Sequence, residues 1–523
     1  MKEITLLDCT LRDGGYVNNW NFGKGKIEKI VQKIIQAGIE NIECGYLSTK
    51  DSGDIDTARF NSIQDVKRAY ASAKSIHQRY AVMVNYGEYP AELLENADEN
   101  SPIIRVAFHK KDLDNAFVYF HELKSKGFRF YVQPMGALNY TDEEYVQLIK
   151  RTNELSPEAF YIVDSFGVME LKDFRRLIFL TDNNLDQHIV LGYHSHNNLQ
   201  QAYSNSKYMA EQNLDHNVII DASVFGMGRG AGNLNIELFA KYLNQNFHKN
   251  YNIEPILEVF DECLKPIFTK NFWGYSLPFY LSSIHNCHPN YANYFAEKNT
   301  LSVKSMHELL SMVSEDDKVS FSTDKASKYY MQYQENYVDD HGAVAQIKEN
   351  VDGRTVLILA PGLSLKKNAE RIKAFIEENI PVVFGINKVS DEFAYDYLFV
   401  ANEKRLSEGK PANVRQYITT SNLRYSESIC VNYSSYLCEN DKIADDPTLM
   451  LINLLIAAGV RSIAIAGFDG FSANPDENYF TSGMSLGSNI ASKMYKNDVI
   501  REQVAKIREQ ITLDFVTPSL YLK

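Results

Sequence analysis

The chain has 523 residues, of which 45% are hydrophobic and 23% charged, with a formal net charge of -13. That length exceeds what one hydrophobic core usually serves, so two domains and a smaller third element are expected, and the acidic surplus excludes a general nucleic-acid binder, whose phosphate contacts need a basic face. Six cysteines without a C-x-x-C pair fit reduced thiols better than a zinc knuckle or disulfide scaffold, and with no basic and apolar leader and no apolar run near the ~20 residues of a membrane span a soluble, cytoplasmic chain is expected.

The first strand candidate, Ile4–Thr10, runs into Leu11-Arg12-Asp13-Gly14-Gly15. Further short apolar runs follow at Ile39–Tyr46, Tyr80–Tyr86, Ile103–Phe108, Phe128–Met135, Ala159–Ser165, Ile189–His196 and Val218–Phe225. Amphipathic stretches lie between them, such as Lys24–Ala37 and Glu143–Asn153, the latter opened by Thr141 with Glu144 three residues on, a capping-box pattern. Eight such repeats within ~250 residues predict a (β/α)8 barrel, whose catalytic groups sit at the C-terminal ends of the strands. Asp13 follows strand one, Asp164-Ser165 ends strand six, His194-Ser195-His196-Asn197 closes strand seven and the Gly226–Asn233 loop follows strand eight. All the polar clusters thus fall at one end. Brought together, Asp13, His194 and His196 make a facial N2O set that leaves positions open on a divalent metal, and Arg12 would face the oxyanion held there. Read by itself, the H-x-H pair fits simple alternation along a strand equally well.

Beyond the barrel, taken as residues 1–250, a helical appendage is expected over 251–320, with the aromatic run Trp273–Tyr280 and His288-Pro289-Asn290-Tyr291-Ala292 inside it. The polar stretch 321–353 reads as a linker. A second domain, 354–523, opens with strand Thr355–Leu359, the turn Ala360-Pro361-Gly362-Leu363-Ser364 and helix Lys367–Glu378, an order that can present backbone N–H groups to a phosphate. Strands Val382–Ile386, Tyr397–Ala401 and Ser462–Ala466 with helix Thr448–Ala458 predict a doubly wound, Rossmann-like α/β domain. Pro361, Gly362, Ser364 and Asp469 are its candidate nucleotide-binding residues; Asn387, Asn402 and Asp469 end strands or serve as plain turn residues.

The segments L-L-D-C-T-L-R-D-G-G, H-S-H-N-N and D-A-S-V-F-G-M-G-R-G-A-G-N (Asp221–Asn233) resemble the signature segments of the DRE-TIM metallolyase superfamily, closest to its 4-hydroxy-2-oxovalerate aldolase branch. The resemblance implies a barrel lyase with Mn2+ or Mg2+, Co2+ also suiting the ligand set, and an enolate drawn from a 2-oxo acid such as pyruvate, with an aldehyde as the other reactant. It implies Asp13, His194 and His196 as metal ligands, Asn233 at or near the metal, Arg12 as the enolate-stabilising arginine and Ser165 as a substrate contact. The aldolase histidine base is missing, and Gly15-Tyr16-Val17-Asn18 stands in its neighbourhood. A tyrosine titrates near pH ~10, so Tyr16 would act as a base only with help from the metal or Arg12; Tyr46 and Tyr280 are further candidates for moving protons at the aldehyde oxygen, Tyr46 also as a substrate contact. The Glu-Gln of Claisen-type synthases is absent too. Three readings therefore stay open: a pyruvate-type aldolase, an acyl-CoA-dependent synthase, and an altered barrel serving as scaffold or regulator. The C-terminal half, through Val356–Leu365 and Ser462–Gly470, resembles Rossmann-like domains of glycosyltransferase and nucleotide-sugar proteins, which implies a nucleotide-bearing ligand, a multifunctional enzyme and bacterial surface-polysaccharide synthesis. A homo-oligomer is expected.

Overall fold

The computed structural model describes residues 2–50, 54–70, 78–298, 300–406, 411–481 and 490–522. They form two compact units, Met1–Ala292 and Asn293–Lys523.

In the first unit, β1 (Ile4–Asp8), β2 (Asn41–Leu47), β3 (Arg79–Asn85), β4 (Ile103–Phe108), β5 (Phe130–Pro134), β6 (Ala159–Asp164), β7 (Val190–Ser195) and β8 (Val218–Ala222) pair in parallel, each with its sequence neighbour. β8 returns to β1, and β1 also pairs with β2, which closes the barrel expected from the apolar runs. The strands read as near-continuous hydrophobic runs because both faces are covered, one by the barrel interior and the other by helices. Helices Lys24–Gln36, Leu113–Ser125, Asp142–Leu155 and Leu171–Asp182 bury their apolar sides on the outside, Ile27, Ile30, Val31 and Ile34 in the first of them. Thr141 and Glu144 form the reciprocal capping box, satisfying two donors that a helix start leaves orphaned. The segment after β8 is helical from Ile253 to Lys270, and Ile256, Val259, Leu264 and Trp273 join the barrel's core.

The boundary between units falls at Ala292/Asn293, ahead of the polar stretch read as a linker. That stretch contains two helices, Thr323–Gln334 and His341–Val351. Ile347 and Val351 of the second belong to the core of the second unit. Few apolar residues suffice to dock these helices, which is why their composition reads as a connection.

The second unit has a fully parallel sheet of β9 (Val356–Leu359), β10 (Val382–Ile386), β11 (Tyr395–Val400), β12 (Val414–Thr420), β13 (Ile429–Val431), β14 (Ser462–Ala466) and β15 (Thr512–Phe515), in the spatial order 13-12-11-10-9-14-15. The order reverses between β9 and β14, so the sheet is doubly wound and has a topological switch point there. Helix Pro447–Ala457 crosses it almost fully buried, N-capped by Asp446, which accepts from Thr448 and Leu449 N–H. No helix among the described residues is long and apolar enough to cross a membrane.

Candidate active site and metal centre

After β1 the chain turns sharply, with the Cys9 carbonyl accepting from the N–H groups of Arg12 (3.2 Å) and Asp13 (2.8 Å). Trp20 Nε1 donates to the Arg12 carbonyl at 2.7 Å. These bonds fix Arg12 and Asp13 over the barrel mouth, both buried. His194 and His196 are two residues apart at the end of β7 and so share its inner face. His196 forms a bridge with Asn233. His194 Nε2 stands 3.4 Å and His196 Nε2 3.6 Å from Asp13 Oδ2. One ligand atom from each of the three residues falls within 4.8 Å of the others.

Neither Asp13 oxygen has a well-formed hydrogen bond, and buried Asn233 Oδ1 has no partner either. Such orphaned acceptors beside two imidazole nitrogens suit a divalent cation, with hard oxygen and borderline nitrogen together. The electrostatics of Asp13 and His196 agree, whereas for His194 burial is outweighed by the Asp13 and Asp221 carboxylates, which raise the imidazole above its ordinary value. Burial pushes the Asp13 carboxyl up, but His196, Arg12 and His194 outweigh it and hold the group well below the usual carboxylate range. Burial, opposed by the Asp13 carboxylate, pushes His196 down to about 3, leaving its imidazole neutral as a ligand must be.

Beneath this layer lies a charged network that motif reading does not reveal. Arg12 Nε donates to Glu43 Oε2 at 2.7 Å, and Arg105 Nη1 pairs with the same oxygen at 2.8 Å. Arg105 Nη2 also pairs with Asp221, whose Oδ2 lies 2.9 Å from His194 Nδ1 and whose Oδ1 accepts from Tyr161 at 3.1 Å. Asp221 thereby orients His194 so that Nε2 faces Asp13, the outer-shell carboxylate arrangement typical of metal-ligating histidines. Burial raises the Asp221 carboxyl, yet Arg105 and His194 bring it below its ordinary range. The only sequence signal for Glu43 and Arg105 is a lone charge inside an otherwise apolar strand.

Arg12, Asp13, Tyr16, Tyr46, Ser165, His194 and His196 line one cavity, with Met135 and Arg229. Tyr16 and Tyr46 hydroxyls lie 2.8 Å apart, and burial holds the Tyr46 phenol well above its usual range. Ser165 Oγ accepts from Gly136 N–H at 2.9 Å. Tyr280 is placed apart from this set: it sits on helix Leu277–Ile284, 38% exposed, with its ring beside Tyr275.

In the second unit, a cavity opens at the switch point beyond β9 and β14, lined by Pro361, Gly362, Asn387, Asn402 and Asp469 among others. In the Ala360–Ser364 turn several donors are engaged within the protein. Gly362 N–H donates to the Gly467 carbonyl at 2.8 Å, and Ser364 N–H to Asp469 Oδ2 at 2.7 Å, with Ser364 Oγ donating to the other carboxylate oxygen. Asp469 thus holds Ser364 of this turn. Gly362 is required because a Cβ there would meet the Gly467 oxygen at 2.3 Å and Asp469 Cγ at 2.6 Å.

A parallel barrel carrying a buried aspartate and two histidines beside a guanidinium at its strand ends defines a (β/α)8 barrel with a candidate metal site. Residues 3–262 match the HMGL-like family model. Over 265 residues it is 29% identical to the 4-hydroxy-2-oxovalerate aldolase of Chloroflexus aggregans, covering 50% of this chain and 73% of that one. Over 251 residues it is 26% identical to oxaloacetate decarboxylase of Mycobacterium tuberculosis, covering 47% and 72%. Among solved structures, the carboxyl transferase domain of Rhizobium etli pyruvate carboxylase shares the fold, with a TM-score of 0.51 at 13% identity over 66% of this chain and 65% of that one.

Proposed function

We propose that the barrel is a divalent-metal-dependent aldolase or lyase that makes or breaks a C–C bond through the enolate of a 2-oxo acid such as pyruvate, with an aldehyde as the other reactant. The observation that carries this reading is the orphaned Asp13 carboxylate faced by His194 and His196 beneath Arg12. Asp13, His194 and His196 would hold Mn2+, Mg2+ or Co2+, with Asn233 Oδ1 adjacent, and the bound ion would supply Lewis-acid polarisation of the 2-oxo acid carbonyl. Arg12, anchored through Nε on Glu43, turns its other N–H groups toward the triad, Nη2 being 3.5 Å from His194 Nε2. A preorganised donor of this sort offsets the charge developing on the oxo oxygen by about 3 kcal/mol. Tyr16 and Tyr46, sharing one hydrogen bond, replace the family's histidine in passing a proton to and from the aldehyde oxygen, and Ser165 contributes a polar wall to the substrate cavity. The names of the aldolase and decarboxylase relatives support this class of substrate.

Calorimetric titration with Mn2+ tests the site. One ion per chain is expected for the native protein and none for the variant combining His194→Ala and His196→Ala, with its far-UV circular dichroism retained; unchanged binding by that variant would remove the triad from the site.

For the second unit we propose a nucleotide or nucleotide-sugar in the switch-point cavity, where doubly wound sheets place their ligands. Support comes from its charges. Asp445, Asp446 and Asp469 are engaged by Tyr330, by backbone N–H groups and by Ser364, and Lys298, Lys442 and Lys496 line the same cavity, Lys298 donating to the Asp441 carbonyl and Lys496 lying in the field of Asp446. Titrating the full chain with nucleoside mono- and diphosphates and nucleotide sugars should give saturable binding, weakened at least about tenfold in the Lys442→Ala, Lys496→Ala double variant. No binding across the panel would contradict the proposal. A role in surface-polysaccharide synthesis and a homo-oligomeric assembly extend this reading through the sequence resemblance alone. The six unpaired cysteines support a reducing, cytoplasmic setting.

A further inference from the structure

Two guanidiniums in the barrel, Arg12 at its mouth and Arg105 in its interior, are neutralised by buried carboxylates. Arg12 pairs with Glu43 and Asp13, and Arg105 with Glu43 and Asp221. Arg229 differs. It lies on the loop after β8 and lines the cavity of the Asp13 triad, where its Nη2 donates to the Ser165 carbonyl at 2.9 Å and its Nη1 is 3.2 Å from His288 Nε2. Its Cζ sits 5.5 Å from the centre of the Tyr16 ring, and its buried Nε has no hydrogen-bond partner. Its recorded neighbours are thus a carbonyl, an imidazole that burial keeps neutral and a phenol ring, and no carboxylate among the described residues stands within ion-pair distance.

A half-buried cation with only neutral neighbours is costly unless a ligand brings the opposite charge. The carboxylate and carbonyl oxygens of a 2-oxo acid would be taken up by the ion that Asp13, His194 and His196 would hold, beside Arg12. Ser165 and His288 hold Arg229 at the wall of this cavity, and a planar guanidinium suits a carboxylate or phosphate better than an ammonium would. We infer that Arg229 binds a second anionic group on the other reactant, so that the aldehyde this enzyme uses or releases carries its own carboxylate or phosphate. This inference rests on the aldolase reading of the barrel. In the addition direction, the 2-oxo acid loses one proton from the carbon next to its carbonyl, that carbon bonds to the aldehyde carbon, and the aldehyde oxygen gains a proton; Arg229 positions the acceptor and takes no part in bond making.

The experiment compares acceptors with and without a terminal anionic group. The full chain with Mn2+ and pyruvate is assayed with butanal against succinic semialdehyde, and with glyceraldehyde against glyceraldehyde 3-phosphate. In the native protein at least one anionic member should exceed its neutral counterpart in kcat/KM by about 100-fold or more, and the pair showing it distinguishes carboxylate from phosphate. Arg229→Gln should bring that ratio close to one, and Arg229→Lys should keep an intermediate value, which also decides the matter if the glutamine variant does not fold. Equal use of charged and neutral acceptors by the native protein, or a ratio untouched by either substitution, would overturn the inference. Failure of the aldolase reading shows separately, as an absence of metal-dependent pyruvate methyl exchange in D2O.

Discussion

Arg12→Lys is expected to lower turnover by a factor on the order of 100 to 1,000, the usual cost of removing one preorganised oxyanion donor, while Mn2+ affinity changes little. Arg12 performs two tasks with one planar group: Nε holds Glu43 at 2.7 Å, and the far N–H groups face Asp13 and His194. A lysine ammonium can take over one of these directions and not both. Because the metal ligands themselves are untouched, loss of rate without loss of metal is the signature of a group that acts on the reacting oxygen. Parallel kinetics and Mn2+ titration of the variant read the two effects apart, and unchanged turnover would make Arg12 a purely structural residue.

The largest effect on stability should come from Arg105→Leu. Arg105 is fully buried and bridges Glu43 and Asp221 across the barrel interior, with its Cζ 4.8 Å from the centre of the Tyr161 ring. Removing it leaves two carboxylates without their shared cation in a dry interior, and breaking a buried pair in this way costs about 3–5 kcal/mol. Asp221 would also lose one of the contacts that orient His194, so weaker Mn2+ binding should accompany the lower stability. Urea unfolding followed by barrel tryptophan fluorescence measures the first effect, since both tryptophans, Trp20 and Trp273, lie in the barrel unit. A loss below about 1 kcal/mol, the scale of an exposed ion pair, would contradict this picture of the network.

The barrel was legible because its strands are short apolar runs bounded by glycine and charge, and because the residues at their ends lie close in sequence. Arg12 and Asp13 are neighbours, and His194 and His196 are separated only by Ser195. The supporting network was hidden for the opposite reason. Glu43, Arg105 and Asp221 come from β2, β4 and β8, and a single charge in an apolar strand does not reveal which distant charge neutralises it. Arg229 stood inside a recognised glycine-rich segment, but its lack of an anionic partner is visible only once Ser165, His288 and Tyr16 surround it. In the second unit, β12 carries Arg415 and Gln416 and ends in threonines, β13 has three residues and β15 four, too little periodicity for a strand to stand out. The hold of Asp469 on Ser364 of the Ala360–Ser364 turn, across 105 residues, is likewise invisible in the sequence.

The most direct measurement is proton NMR of pyruvate incubated with the full chain and Mn2+ in D2O. A metal-loaded barrel that forms the enolate of a 2-oxo acid must exchange the pyruvate methyl protons without any aldehyde present, so the methyl signal should fade with time, more slowly with Arg12→Lys and not at all with the His194→Ala, His196→Ala variant. A methyl signal that persists unchanged while one Mn2+ is bound per chain would contradict enolate chemistry on this 2-oxo acid.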